Sequence, residues 1–271
     1  MYGVERAAER RRDYLSVVRS FTPVWLGTVP YKQAFALQRA VHADVVAGDL
    51  SDVLLLLEHP PTITHSFTGR GTENLVASKE LLDRRGVSVE GTDRGGNITF
   101  HGPGQLVGYP IVALREKAER DLHRYLRDVE EVLIRTAARF GVDSERVSGR
   151  TGTWVRGRSD EKLAAIGVKA SRWVTLHGFA MNVLTDLSFF ELIVPCGIED
   201  AGVVSLQVLA ERSGVDAPSL EVVVAEAASA FAEVFGRAHS PVPDRLRMLC
   251  AAHGIDPLSV AAPAASRRTQ D

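Results

Sequence analysis

Lys162 to Val183 reads KLAAIGVKASRWVTLHGFAMNV, and the fold turns on this stretch. Leu163 to Lys169 and Phe179 to Val183 are short apolar runs on either side of a polar corner, the pattern of neighbouring strands. Gly152 to Val155 supplies a third strand upstream, and Arg156 to Glu161 forms a hairpin or loop between them. Gly167 and Gly178 sit beside Ala165 and Ala180. Such small residues either leave room for an apolar chain to lie between strands or allow the strands to pack tightly. Lys162 opens the stretch. Only Lys32, Lys79, Lys117, Lys162 and Lys169 are lysines, and arginine supplies the other 27 of the 32 basic residues. Surface charge is mostly arginine's task here, so a lysine leading into an apolar strand stands out.

Outward from this region the pattern is mixed α/β. Ala34, Leu37, Val41 and Val45 recur at helical spacing after Pro30 and predict a helix over 31–47 that ends at Gly48. Val53 to Leu57 reads as a buried strand, broken by His59-Pro60-Pro61. A short helix over 78–84, a strand at Val87 to Val89, and strands at Ile98 to His101 and Leu106 to Tyr109 around Gly102-Pro103-Gly104 come next. A long amphipathic helix spans 120–140, with further helices near Ser188 to Leu192, Ser219 to Phe235 and Asp244 to Ala252. The expected catalytic domain is 21–256, with an N-terminal extension over 1–20 and a disordered tail over 257–271.

The chain has 271 residues, long enough for one sizeable α/β domain or two smaller ones, and its 45% hydrophobic and 24% charged content is that of a globular protein. A net charge of −2 gives no sign of nucleic-acid binding. Two cysteines, Cys196 and Cys250, exclude a disulfide framework and fit a reducing cytoplasm. Met1 to Ser20 lacks the apolar core of a secretory signal, and no apolar run is long enough to span a membrane.

Chemistry is expected at three places. Cys196 lies between Pro195 and Gly197, which hold a thiol on open backbone; a lysine such as Lys162 brought beside it would take its proton or stabilise the thiolate. Otherwise Cys196 is a small buried hydrophobe and Lys162 a solvated charge. The run Arg94-Gly95-Gly96-Asn97-Ile98-Thr99-Phe100-His101 continues into Gly102-Pro103-Gly104-Gln105. Its paired glycines expose backbone N–H groups, Arg94 offers an anchor for an anion, and His101 a hydrogen bond to substrate; the alternative is a glycine-rich hairpin with a satisfied histidine. Thr175 to Ala180 forms a second histidine-glycine corner around His177 and Gly178-Phe179-Ala180. Neither His101 nor His177 has a metal-ligand spacing, so no metal is expected. His59 and His65 flank a loop suited to edging a pocket, His42, His123, His239 and His253 read as surface residues, and Cys250 as packing.

In combination, Glu58-His59-Pro60-Pro61-Thr62, Arg70-Gly71-Thr72 with Asn74-Leu75, Arg94 to Gln105, Lys162 to Gly167, His177 to Ala180 with Asn182, and Pro195-Cys196-Gly197-Ile198 closely resemble the lipoyl(octanoyl) transferases, the LipB-type enzymes of lipoate biosynthesis. The resemblance covers about residues 25–240. It implies a fold similar to biotin and lipoate protein ligases, a mixed β-sheet flanked by helices with the site in a cleft of that sheet. It also implies that Cys196 takes an octanoyl group from acyl carrier protein and passes it to a lysine of a lipoyl domain, as in the 2-oxoacid dehydrogenases and the glycine cleavage H protein. Lys162 matches the lysine that lowers the thiol's pKa. Arg94 to His101, Ala165-Ile166-Gly167 and Gly178-Phe179-Ala180 match the substrate-binding stretches. No cofactor, nucleic acid or membrane is implied. An ATP-dependent lipoate or biotin ligase would share the fold without needing Cys196, and a noncatalytic carrier-binding module would tolerate Cys196→Ala.

Acyl carrier proteins are acidic, so Arg156 and Arg158 in the polar insert are candidates for the contact. Reversing both charges is expected to slow carrier-dependent transfer and flatten its salt dependence while sparing a small-molecule thioester donor. Equal loss with both donors would mark misfolding instead.

Overall fold

The structure is a computed structural model that describes residues 19–67, 71–194 and 201–260. It opens with β1 (Ser20–Thr28), α1 (Tyr31–Ala47) and β2 (Asp52–Glu58), a β-α-β unit whose strands pair in parallel. Pro30 precedes the helix, and Gly48, at φ 88°, ends it in the left-handed conformation that glycine adopts at least cost. A three-stranded sheet follows: β3 (Thr62–Ser66), then α2 (Lys79–Arg85) capped by the Ser78 side chain, β4 (Ser88–Thr92) and β5 (Ile98–His101), in the order β4-β3-β5.

The chain then returns to the main sheet through β6 (Gln105–Ile111) and crosses it as α3 (Leu122–Ala138). It continues as the meander β7 (Glu145–Val147), β8 (Arg150–Val155), β9 (Glu161–Ser171) and β10 (Val174–Asn182). The last elements are β11 (Gly202–Val203), α4 (Leu206–Ser213), α5 (Leu220–Phe235), β12 (Ala238–His239), α6 (Asp244–Ala252) and β13 (Leu258–Ser259). The main sheet runs β12-β1-β2-β6-β10-β9-β8-β7, with β11 added to β9 and β13 to β1. Parallel pairs at β1 and antiparallel pairs from β2 to β7 make it a mixed sheet, as expected.

Helices cover both faces. Val53, Leu55 and Leu57 of β2 face α1 and α6, packing with Leu37, Val41 and Leu246. Leu54 and Leu56 face the opposite way, toward Val129 and Leu133 of α3 and Val223 and Phe231 of α5. The unbroken apolar run in β2 is the signature of a strand buried on both sides, and each such leucine contributes about 1.5–3 kcal/mol of burial.

Four expectations need correction. The strand β1 was not expected because Pro23 interrupts its pattern; Pro23 pairs only with Leu54, between the points where β12 and β13 meet this strand, so its missing N–H leaves no gap in either short ladder. Four of the five residues of β3 are polar, and three of those are buried, so no apolar alternation announced it. The Gly102-Pro103-Gly104 turn is no hairpin: β5 belongs to the small sheet and β6 to the large one, and Gly104, at φ 77°, packs a bare Cα against the Leu184 backbone. The tail is not disordered from 257, since Leu258 and Ser259 pair with Trp25 and Val24. That pairing uses backbone hydrogen bonds on an edge and needs no apolar pattern. Residues 1–18 and 261–271 lie outside the described residues.

A chain ending at Val260 keeps the β13 pairing, and its melting temperature is the reference. Truncation before Pro257 removes the β13 pairing, about 1 kcal/mol, and should lower it by about 2–4 °C; thermal unfolding of the two truncations side by side checks this.

Candidate active site

A cavity of about 490 Å³ opens between the β9–β10 ladder and the loop 93–97. Ala165, Ile166, Gly167 and Val168 of β9 and Gly178, Phe179 and Ala180 of β10 form its sheet wall, and Lys162 stands at the start of the same strand. Arg94, Gly95, Gly96 and Asn97 cover it, and Thr99, His101, Tyr31 and Tyr109 close one side. Leu126, Gly149 of the β7–β8 turn, Arg150 and Thr151 at the start of β8, and His177 complete the lining.

The cover is tied down at several points. The Gly95 N–H donates to the Val168 carbonyl at 3.1 Å. Asp93 accepts from Lys169 Nζ and from His177 Nε2, each at 2.7 Å. Burial pushes the Asp93 carboxyl up, but these two partners outweigh it and hold the group below its ordinary value. Gly167 makes the crossing possible, because a Cβ there would lie 2.7 Å from the Gly95 carbonyl oxygen and 2.9 Å from Arg94 Cδ. A Cβ on Gly178 would instead strike the Gly108 carbonyl of β6. The two glycines thus divide the two readings of the sequence: Gly167 makes room for the covering loop, and Gly178 serves tight strand packing.

Arg94 turns inward. Its Nη2 donates to the Thr64 carbonyl at 3.0 Å and to Thr64 Oγ1 at 2.9 Å, and its Nη1 to the Gly95 carbonyl at 3.0 Å. Arg94 therefore clamps the loop to β3. From Thr64 a buried polar chain continues: Thr64 Oγ1 to His101 Nε2 at 3.3 Å, His101 Nδ1 to Gln105 Oε1 at 2.9 Å, Gln105 Nε2 to the Phe100 carbonyl at 3.2 Å and to Asn182 Oδ1 at 3.0 Å, and Asn182 Nδ2 to the Val204 carbonyl at 3.1 Å. The Val204 carbonyl only accepts, so it orients the Asn182 and Gln105 amides in turn and makes His101 Nδ1 the donor to Gln105 Oε1. His101 carries its proton on Nδ1 and accepts the Thr64 hydroxyl on Nε2. Burial, with His59 and Arg94 nearby, holds it well below the usual imidazole range. His101 is thus a satisfied neutral histidine, and neither nitrogen is left to bond substrate.

Behind it, His59 donates from Nδ1 to the Val29 carbonyl at 2.6 Å and accepts the Tyr109 hydroxyl on Nε2 at 2.7 Å. Burial pushes the His59 imidazole down to about 4 and the Tyr109 hydroxyl well up. The Tyr31 hydroxyl bonds Thr92 Oγ1 at 2.8 Å. These hydroxyl and imidazole groups find their partners within the protein, so this side of the cavity is a wall of neutral rings.

Within Arg94 to His101, Ile98 and Phe100 do not line the cavity. Strand alternation turns them to the other face of β5, into the core of the small sheet with Ile63, Leu82 and Phe190. His59 does not edge the pocket but stands one layer behind it, fully buried. His42 is buried too, with Nε2 3.2 Å from the Ser171 carbonyl, and is not a surface residue. Tyr31, Tyr109, Leu126 and residues 149–151 joined the lining without any local signal, because they converge from α1, β6, α3 and the β7–β8 turn with the start of β8. His177 did carry a signal, the histidine-glycine corner; it sits at φ 59°, rare for a side-chain-bearing residue, with its N–H on Gln38 Oε1 at 2.6 Å.

Cys196 lies outside the described residues, as do Pro195 and Gly197. On either side of that segment, the Val194 N–H donates to the Asn74 carbonyl at 2.8 Å, and Gly202 and Val203 pair with Glu161 and Lys162.

The family model of the lipoyl protein ligase A/B catalytic domain matches residues 30–232. The chain belongs to that family. An octanoyltransferase of Acidobacterium capsulatum is 50% identical over 224 residues, 78% of this chain and 88% of the relative, and one of Rubrobacter xylanophilus is 49% identical over 229 residues, 84% and 97%. With such relatives the chain is an acyltransferase of the protein-lipoylation family. A bipartite lipoate protein ligase from Thermoplasma acidophilum has the same fold, with a TM-score of 0.67 at 14% identity over 86% of this chain and 91% of that one. Lipoate-protein ligase A bound with ATP gives 0.66 at 15% over 86% and 93%. No described helix of this lipoyl protein ligase family member is long and apolar enough to cross a membrane.

The neutral wall has a consequence for acid stability. His59 titrates at about 4 when folded and near its ordinary 6.5 when unfolded, so between these values the unfolded chain binds a proton that the folded one refuses. Stability from this group is intact above pH 6.5 and falls by up to about 3 kcal/mol as pH drops toward 4. Denaturant unfolding at pH 7 and pH 4.5 should show the loss, and His59→Gln should reduce its pH dependence.

Proposed function

We propose that the chain transfers an octanoyl group from octanoyl-acyl carrier protein to a lysine of lipoyl domains, through a thioester on Cys196. The acceptors are lipoyl domains such as those of the 2-oxoacid dehydrogenases and the glycine cleavage H protein. One observation carries this reading: Lys162 lines a cavity with an apolar sheet wall and a neutral ring wall, and Val203, just past the segment that contains Cys196, is registered opposite it. A pocket of this size with an apolar sheet wall suits a small acyl chain. Ala165, Ile166, Gly167, Gly178, Phe179 and Ala180 would flank that chain, and the loop from Arg94 to Asn97 would exclude water above it. Thr99 and His101 add to the wall, while Ile98 and Phe100 hold β5 from behind.

In the first half Lys162 takes the Cys196 proton, and the thiolate attacks the donor thioester carbonyl. The new carbon–sulfur bond forms, the donor thiolate leaves, and it receives the proton from Lys162. In the second half the acceptor amine attacks the acyl-cysteine, its proton passes to the neutral Lys162 amine, and the Cys196 thiolate departs. A thioester donor is already activated, so no ATP is consumed. This separates the reading from an adenylating ligase of the same fold.

Given octanoyl donor alone, the wild-type protein should gain an octanoyl mass that hydroxylamine removes and acceptor domain discharges, and Cys196→Ala should gain none. Lys162→Arg keeps a cation but loses the base, so slow acylation and a much larger defect in transfer are expected. A mass label on Cys250, or wild-type transfer by Cys196→Ala, would overturn the assignment.

A further inference from the structure

We infer that Trp154 is a positioning residue for Lys162, seating its ammonium group on the indole face. The inference rests on the reading of Lys162 as the proton carrier. Trp154 is the cross-strand partner of Lys162, on β8, and is only 1% exposed. Lys162 Nζ lies 4.8 Å from the centroid of its ring, within the range where an aromatic face attracts a cation. The ring is itself held: its Nε1 donates to the Arg150 carbonyl at 3.3 Å, and the Arg150 guanidinium lies 5.6 Å from the centroid.

Two residues earlier, Gly152 adopts φ 121°, a conformation rarely open to other residues, and a Cβ there would strike the Ala164 carbonyl of the neighbouring strand. The Gly152 N–H donates to the fully buried Glu130 carboxylate at 3.1 Å, which fixes this backbone in place. The head of Lys162 thus rests on a ring whose strand is fixed two residues earlier at Gly152, at a point where the β8–β9 register is irregular.

The seat matters because both half-reactions pass through states with the proton on Lys162. The sheet wall is apolar, the ring wall is held neutral, and the Arg94 and Arg150 guanidinium groups in the lining oppose a further cation, whereas the indole face attracts an ammonium group. Loss of the aromatic face should slow acylation and discharge alike, by about 3- to 30-fold, the rate equivalent of one cation–π contact. This differs from Lys162→Arg, which falls mainly on the second half.

The test uses the full chain with Trp154→Leu, Trp154→Phe and Lys162→Arg, following formation and discharge of the acyl-enzyme by intact mass at saturating donor. Trp154→Leu is expected to slow both halves with the donor KM unchanged, and Trp154→Phe, which keeps an aromatic face, to recover most of the loss. Should Trp154→Leu melt below the wild type, Trp154→Met replaces it at matched stability. Wild-type rates in the aliphatic variant, or equal losses in the Phe and aliphatic variants at matched melting temperature, would overturn the inference. If Lys162→Arg is slow while the aliphatic variant is not, only this inference falls; if Lys162→Arg runs at wild-type rate in both halves, the reading of Lys162 falls with it.

Discussion

The hydrogen bond from the Gly95 N–H to the Val168 carbonyl, made over the bare Cα of Gly167, is the contact on which the cavity depends. It holds a loop of the small sheet across the face of the large one, so the space beneath becomes a covered cavity instead of an open groove. The loop is not pinned by this bond alone. Asp93 bridges Lys169 and His177 on β9 and β10, and Arg94 ties back to Thr64 on β3. Hydrogen bonds to charged groups contribute about 1.5–3 kcal/mol each, enough to hold a glycine-rich segment whose own backbone favours freedom.

Polar groups under the cover are arranged so that few reach the cavity as charges. The chain from Arg94 through Thr64, His101, Gln105 and Asn182 is oriented from the Val204 carbonyl, and burial keeps His101 neutral with both nitrogens occupied. His59 and Tyr109 satisfy each other one layer back. The same chain ends on Val204, whose N–H bonds the Lys162 carbonyl at 3.0 Å, so the clamp on the loop and the backbone of the lysine belong to one connected frame. A half-satisfied network at this depth would cost more than an apolar wall; the full pairing explains how histidines and tyrosines coexist with an apolar chamber.

Much of the fold was legible locally. The helical period of α1 and α3, the doubly buried run of β2 and the strands at 163–169 and 179–182 follow from side-chain periodicity, because one-sided or two-sided burial repeats at fixed intervals along the chain. β1 and β3 escaped this reading for definite reasons, a proline placed between two short edge pairings and a strand whose buried residues are mostly polar. The β13 pairing escaped because backbone bonding carries no side-chain pattern.

The candidate site divides the same way. Lys162, the glycine-rich run and the Gly167 and Gly178 positions stood out in the chain because their residue types are unusual for their places, and the family they mark is the one to which the chain belongs. Which members of the run face the cavity did not: strand alternation sends Thr99 and His101 inward and Ile98 and Phe100 into the small-sheet core, and the phase of that alternation depends on which sheet β5 joins. The roles of Arg94 as a clamp, of Gly178 as a packing contact and of Trp154 beneath Lys162 likewise follow from partners far apart in sequence. Periodicity encodes how a residue relates to its own element, whereas a hydrogen-bond partner, a close approach or a ring beneath a cation exists only once separate elements have been packed together.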